Sequence, residues 1–196
     1  MFWRVIEKIV AIPPDSKFRR WALLECPIVD VEDPTPTEGY TLQEIFQERL
    51  TLLTRVNPGL NIEPLKKRLD LGNHCMLCEL NGVSVLYRWV LVNTGSEPIH
   101  LNTRCDMRID VVLPPGAAYC WDDWTAQERR GAGAHPASTR LLRALLRKQG
   151  CTKMMTVINV ENAPSLRAYG KVGFKRRAIL THLRLFGLDC IRREYP

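Results

Sequence analysis

The sequence has no uninterrupted apolar run of membrane-spanning length. Arg4, Glu7 and Lys8 break the apolar N-terminal stretch before Pro13-Pro14, so no signal-peptide core survives and a cytoplasmic protein is expected. Internal repeats and low-complexity tracts are absent. No Lys-Ser/Thr pair follows the glycines at 131 and 133, which excludes a Walker loop, and no dinucleotide fingerprint is completed. The cysteines form an odd, scattered set (Cys26, Cys75, Cys78, Cys105, Cys120, Cys151, Cys190), unlike the even framework of a small secreted domain, and point to a reducing compartment. His74-Cys75-Met76-Leu77-Cys78 holds half a zinc spacing, but it lies on an expected strand, where residues three apart face opposite sides. No second Cys/His pair sits nearby, so two core cysteines and no metal are expected. The basic residues also do not alternate with aromatics as they do in single-strand nucleic-acid binders, which makes nucleic acid a poor partner.

What is present fits one well-filled core in 196 residues, with 45% hydrophobic and 25% charged content. The net charge of +7 is spread over separate Lys and Arg residues: a solvated surface, or an attraction for an anionic partner. Phe2, Ile6, Ile9 and Val10 have helical spacing up to Pro13. Residues 21–29 read as a strand, with Pro27 arguing for an edge position. Residues 30–39, with Pro34 and Pro36, read as a loop. Thr41 and Glu44 have capping-box spacing ahead of Leu42, Ile45, Phe46, Leu50, Leu53 and Val56, which predicts a helix closed by Asn57-Pro58-Gly59. A short helix is expected over 62–71, then a hairpin of 75–80 and 83–92 about Asn81-Gly82, whose residues tolerate the positive φ of a tight turn. Strands are expected over 108–113, 117–125 and 154–160, with a closing strand over 178–186. Helices are expected from Pro136 to Gly150 and from Pro164 to Lys171. In the first of these Leu141, Leu142, Leu145 and Leu146 face one way, with Arg140, Arg143 and Arg147 largely opposite. The pattern is mixed α/β: residues 1–40 as an N-terminal helical/strand extension packed on a domain of 41–196, one structural domain overall.

The chain is organised around Tyr119–Phe174. At its front, Arg130-Gly131-Ala132-Gly133-Ala134-His135 joins a strand to a helix. Glycines let backbone approach a ligand, and unpartnered N–H groups at a helix start suit an anion, phosphate above all; a plain turn is the alternative. At its back, Asn162 is a helix cap with Pro164 in the first turn, and Ser165 and Tyr169 share one helix face. A hydroxyl pair there could hydrogen-bond a ligand tail or deliver a proton; a capped helix with a half-buried Tyr is the alternative.

These residues resemble the GNAT (Gcn5-related N-acetyltransferase) superfamily, acyltransferases that use acetyl-CoA. Of the family's Gln/Arg-x-x-Gly-x-Gly/Ala, Arg130 and Gly133 match and His135 departs; in a second register Gly131 and Gly133 match and Glu128 departs. Asn159, Asn162, Ser165, Tyr169, Gly173 and Phe174 reproduce the later N-x-x-N-x-x-S/A-x-x-x-Y-x-x-x-G-F. The resemblance is specific over 117–180, looser over 75–92 and absent before about residue 40. It implies a mixed, splayed sheet flanked by helices, with acetyl-CoA in the gap between strands at 117–125 and 153–160. Backbone from Gly131 through Ala132, Gly133 and Ala134 to His135 would hold the pyrophosphate beside Arg130. Trp124, Thr125 and Ala126 would bind the pantetheine arm and polarise the acetyl carbonyl, and Asn162 with Ser165 would meet the cofactor tail.

The implied reaction is direct acetyl transfer to a primary amine, on a small molecule or a peptide, within a ternary complex. Tyr169 stands at the acid position. Asp122 or Asp123 would be the base, strand alternation letting only one face the cleft. Arg140, Arg143, Arg147 and Lys175-Arg176-Arg177 could meet the 3′-phosphate of CoA or attract nucleic acid. Residues 1–72 and 93–107 would set the acceptor, with Glu44, Glu48 and Asp106 able to attract an amine. A homodimer is left open, as are two other functions: an inactive acyl-CoA-binding sensor module and a basic nucleic-acid-binding domain.

Overall fold

The computed structural model describes residues 17–28, 38–105, 110–185 and 188–195. The expected helix at 2–12, most of the expected loop at 30–39 and the start of the expected strand at 108–113 lie outside them. The elements in chain order are β1 (Lys17–Pro27), β2 (Tyr40–Ile45), a 3-10 helix (Gln47–Arg55), α1 (Glu63–Asp70), β3 (His74–Leu80), β4 (Val83–Asn93), β5 (Ile99–His100), α2 (Leu101–Arg104), β6 (Val112–Leu113), β7 (Ala117–Thr125), α3 (Ala134–Lys148), β8 (Lys153–Asn159), α4 (Ala163–Lys171), β9 (Lys175–Leu185) and β10 (Leu188–Glu194). Eight strands form one sheet in the order β10-β9-β1-β8-β7-β4-β3-β2.

The β3–β4 hairpin turns at Asn81-Gly82, both at positive φ (50° and 79°), as a two-residue turn between twisted strands requires. All neighbouring strands are antiparallel except β7 and β8. These two pair in parallel only over Ala117–Tyr119 and Lys153–Met155, then separate. Each keeps its other neighbour past that point, β7 with β4 up to Thr125 and β8 with β1 up to Asn159. The sheet therefore splays into two wings while both edges of the gap stay supported.

β1 corrects the edge expectation. It lies inside the sheet, paired with β8 on one side and β9 on the other. Pro27 is tolerated because β9 has no partner for β1 beyond Glu25, so the missing N–H interrupts no ladder there. The predicted helix at 41–56 is also overturned: Tyr40–Ile45 pairs along β3, and only the 3-10 helix follows. Thr41 and Glu44 are strand residues, not a capping box. A ladder along the free side of β3 outcompetes local spacing that suits either state. The strand expected to close the chain is β9, and β10 follows it on the outside.

α3 and α4 cover one face of the sheet. Leu142, Leu146, Tyr169, Val172 and Phe174 pack there on Leu24, Val90, Ala118, Cys120, Met154 and Ile158. Each fully buried Leu of this layer contributes about 1.5–3 kcal/mol. The 3-10 helix and α1 cover the opposite face, around Leu50, Leu53, Leu65, Tyr87 and Trp89. Cys75 joins that cluster and Cys78 the α3 side, with Val85 and Ala134, as residues three apart on a strand must. The arginine face of α3 is not as predicted. Arg143 is buried beside Leu142 and Leu146, while Leu145 is exposed. No helix among the described residues is long and apolar enough to cross a membrane.

Candidate active site

β7 carries the feature that organises the site. Its register against β4 shifts between Tyr87 and Trp89, so Asp122 and Asp123 lie opposite Arg88 alone, and Asp122 takes a positive φ of 47°. This is a β-bulge: one extra residue reverses the inside–outside alternation beyond it. Trp121 and Asp122 consequently point to the α1 face, where Asp122 pairs with Arg68 and the Arg68 guanidinium lies 4.4 Å from the Trp121 ring centroid. Asp123 turns to the α3–α4 face. One of the two carboxylates faces the helices, and the bulge decides which.

Around Asp123 three polar groups converge on a single oxygen. The Tyr169 hydroxyl donates to Oδ2 at 2.7 Å, an Arg88 guanidinium nitrogen lies 2.9 Å from it, and His135 Nε2 lies at 3.3 Å. The Arg88 contact is an ion pair without aligned hydrogen-bond geometry; its other terminal nitrogen donates to Thr139 Oγ1 at 3.0 Å. Thr139 in turn donates to His135 O at 2.8 Å, which ties this network to the first turn of α3. The rings of His135 and Tyr169 meet edge-on at 4.5 Å, and Phe174 braces Tyr169 from another side at 4.8 Å. Asp123 Oδ1 and both His135 ring nitrogens are enclosed without a hydrogen-bond partner. Oδ1 can therefore accept from a ligand or a water.

Burial alone would raise the Asp123 pKa, but the Arg88 charge, with His135 close by and the Tyr169 hydroxyl bonded to it, holds it below the usual carboxylate range. Tyr169 moves the other way: burial first, then the adjacent Asp123 charge, push its phenol well above the ordinary value. Asp123 is thus a stable anion and Tyr169 a firmly protonated hydroxyl.

The glycine turn stands at the open end of the splay. Gly131 and Gly133 have φ of 80° and 87°, and a Cβ on either would meet nothing within 4 Å. Gly133 caps α3 without a side-chain hydrogen bond, and the first helical bond runs from the Ala137 N–H to Gly133 O. The N–H groups of Ala134 and His135 therefore have no helical partner, and Pro136 has none to satisfy. The turn is anchored from two directions: Tyr40 donates its hydroxyl to Ala132 O at 3.1 Å, and Arg130 donates to Thr125 O at 3.3 Å while its guanidinium covers the Trp124 ring. Asn162 caps α4 by accepting from the Ser165 N–H at 3.2 Å. The Ala126 N–H is already donated to Val85 O, which leaves it nothing to offer a ligand.

The structure thus gathers Asp123, His135 and Tyr169 beneath the turn and places Trp124, Arg130, Gly131 and Gly133 along its rim. Asp122 stands apart on the other face. Glu44 faces His74 Nδ1 at 2.7 Å on the outer strands, and Asp106 lies outside the described residues. Arg88 and Thr139 belong to the site without having been predicted. For Arg88 a signal existed: it is the single charge in the apolar run from Val83 to Asn93. Thr139 left none.

No family model matches the sequence, and no curated protein matches it. Solved structures do match the fold. A GNAT-family N-acetyltransferase from Kribbella flavida superposes with a TM-score of 0.57 at 14% identity, over 93% of this chain and 62% of that one. A GNAT-family acetyltransferase from Colwellia psychrerythraea gives 0.59 at 13%, over 92% and 57%. The ribosomal-protein alanine N-acetyltransferase of Escherichia coli gives 0.50 at 13%, over 68% and 76%. The chain spans less than two thirds of the first two. The protein has the GNAT acetyltransferase fold, a large mixed, splayed sheet flanked by helices, as the motif resemblance implied.

Proposed function

We propose that the protein is an acyl-CoA-dependent N-acyltransferase that moves acetyl from acetyl-CoA to a primary amine within a ternary complex. The observation that carries this reading is the splay of β7 from β8 with free helix-start N–H groups at its mouth and the Tyr169 hydroxyl beneath. The residues fit the cofactor. The backbone N–H groups of Ala134 and His135 suit a pyrophosphate, and the open space at Gly131 and Gly133 lets it approach. Acetyl-CoA supplies an acyl group activated as a thioester.

Within this reading Tyr169 keeps its proton at Oη and would have to turn it from Asp123 to the leaving-group side. Asp123 orients that hydroxyl and raises its pKa, and Arg88 neutralises Asp123 so that the pocket carries no net negative charge. Asp123 suits this positioning role better than that of a base, because Arg88 holds its carboxylate in the weakly basic state. Asp122 is engaged by Arg68. The amine proton then leaves through water.

One observation favours a second reading, acyl-CoA binding without transfer: the Tyr169 hydroxyl is committed to Asp123 and holds its proton tightly. Calorimetry with acetyl-CoA tests both readings, and absence of binding refutes both. Turnover across an amine panel, lost in Tyr169→Phe with acetyl-CoA affinity retained, supports transfer. Binding with no turnover on any amine leaves the sensor reading.

A further inference from the structure

The closed end of the helix pair carries a feature that acetyl transfer does not use. A cleft of about 400 Å³ opens between α3, the C-terminal end of α4 and the last residues of β1. Its charged lining is Arg140, Arg143, Lys171, Lys175 and Arg177 against one carboxylate, Glu25. Glu25 is already engaged, its Oε2 lying 3.2 Å from Arg177 Nε.

Arg143 is the informative residue. It is 6% exposed, and its Nε is enclosed with no partner. One terminal nitrogen reaches Val172 O and, at 3.2 Å, Cys26 Sγ, both neutral. No carboxylate among the described residues pairs with it. The carbonyl at the end of α4 and the helix dipole account for one N–H of this guanidinium. They account for neither the unpartnered Nε nor the cations gathered around it. A buried cation is ordinarily paired, and among the described residues none supplies the complementary charge here.

The cleft is remote from the glycine turn. Arg143 lies nine residues along α3 from Ala134, and Lys171 nine from Asn162, roughly 13 Å of helix in each case. Pro27 pairs with Lys153 where β8 begins, at the end where β7 and β8 are still joined. The strands open in the opposite direction.

We infer that this cleft is a second anion site, built for a small phosphate-bearing molecule and separate from the splay. Arginine forks and lysine ammonium groups are the side chains that bind phosphate oxygens, and the volume suits a pyrophosphate or a compact phosphate ester. A ligand there would bridge β1 to both helices and supply the charge that no described residue gives Arg143.

Pyrophosphate is the probe. Isothermal titration of the intact chain with saturating CoA, which fills the glycine turn, should show one pyrophosphate bound, more weakly as salt is raised; without CoA the turn adds a second. Lys171→Glu reverses one exposed charge of the cleft and should weaken pyrophosphate at least about ten-fold while leaving CoA affinity unchanged. The milder Lys171→Ala should shift it the same way. No pyrophosphate heat in the wild type overturns the inference, as does equal binding in both variants. Parallel loss of pyrophosphate and CoA overturns it too, since the cations would then serve the ligand of the glycine turn. Failure of CoA to bind would refute the acyltransferase reading and leave the pyrophosphate comparison intact.

Discussion

Replacing Arg88 with Met tests the electrostatic account of the site most directly. Arg88 is fully buried, and its partner Asp123 keeps 14% of its side chain exposed, so solvent can do little for the carboxylate once the guanidinium is gone. Removing one member of a buried pair typically costs about 3–5 kcal/mol, because the remaining charge is stranded. That is a large share of the roughly 5–15 kcal/mol that holds a domain folded. At a urea m-value of about 2–3 kcal/mol/M the unfolding midpoint should fall by roughly 1–2.5 M. The pH dependence supplies the sharper check. In the wild type the folded-state pKa of Asp123 lies below its unfolded value. The resulting stability is therefore complete at neutral pH and is lost only as pH falls through the folded value, in the acid range below about pH 4. In Arg88→Met burial is opposed only by His135 and the Tyr169 hydrogen bond, so that pKa rises from its wild-type position. The deficit should then be greatest at pH 7 and shrink as the solution is acidified toward pH 4. Adding Asp123→Asn removes the stranded charge and should restore part of the loss, with a coupling of about 2–3 kcal/mol in the double-mutant cycle. A deficit under about 1 kcal/mol, or one independent of pH, would refute this picture of Asp123 as an anion maintained by Arg88.

Gly133→Ala should cost about 1–2 kcal/mol in chemical denaturation and weaken acetyl-CoA in calorimetry. Its φ of 87° disfavours any Cβ, while the space around it is open, so no clash adds to the cost. Asn162→Ala should lower stability by about 1 kcal/mol, since the cap to the Ser165 N–H is lost; a change under a few tenths would argue against the cap. Titration with a thiol reagent should modify Cys190 quickly in the native protein and the other six cysteines only on unfolding, because those six are buried. Burial also raises the Cys78 thiol to about 11 and Cys120 to about 12, which keeps them unreactive at neutral pH. Rapid reaction of a second thiol would contradict the packing described.

What the sequence determined by itself was local. The Asn81-Gly82 turn, the capped helix at Asn162 and the glycine turn before α3 were all readable, since each depends on the conformational freedom or hydrogen-bonding reach of a few adjacent residues. The motif running from Asn159 to Phe174 was readable for the same reason, and it carried the fold. Tertiary structure decided whatever depended on a distant partner. Tyr40–Ile45 became a strand because β3 offered it a ladder, and β1 went into the middle of the sheet because β8 and β9 both had open sides. Between Asp122 and Asp123 the sequence held no preference. The bulge opposite Arg88 turned one toward Tyr169 and the other toward Arg68, since a single extra residue in β7 inverts which side chains face the helices. The count of residues between two ladder hydrogen bonds exists only once the strands have paired. The burial of Arg143 likewise follows from how α3 seats against Cys26 and Val172, which lie far from it along the chain.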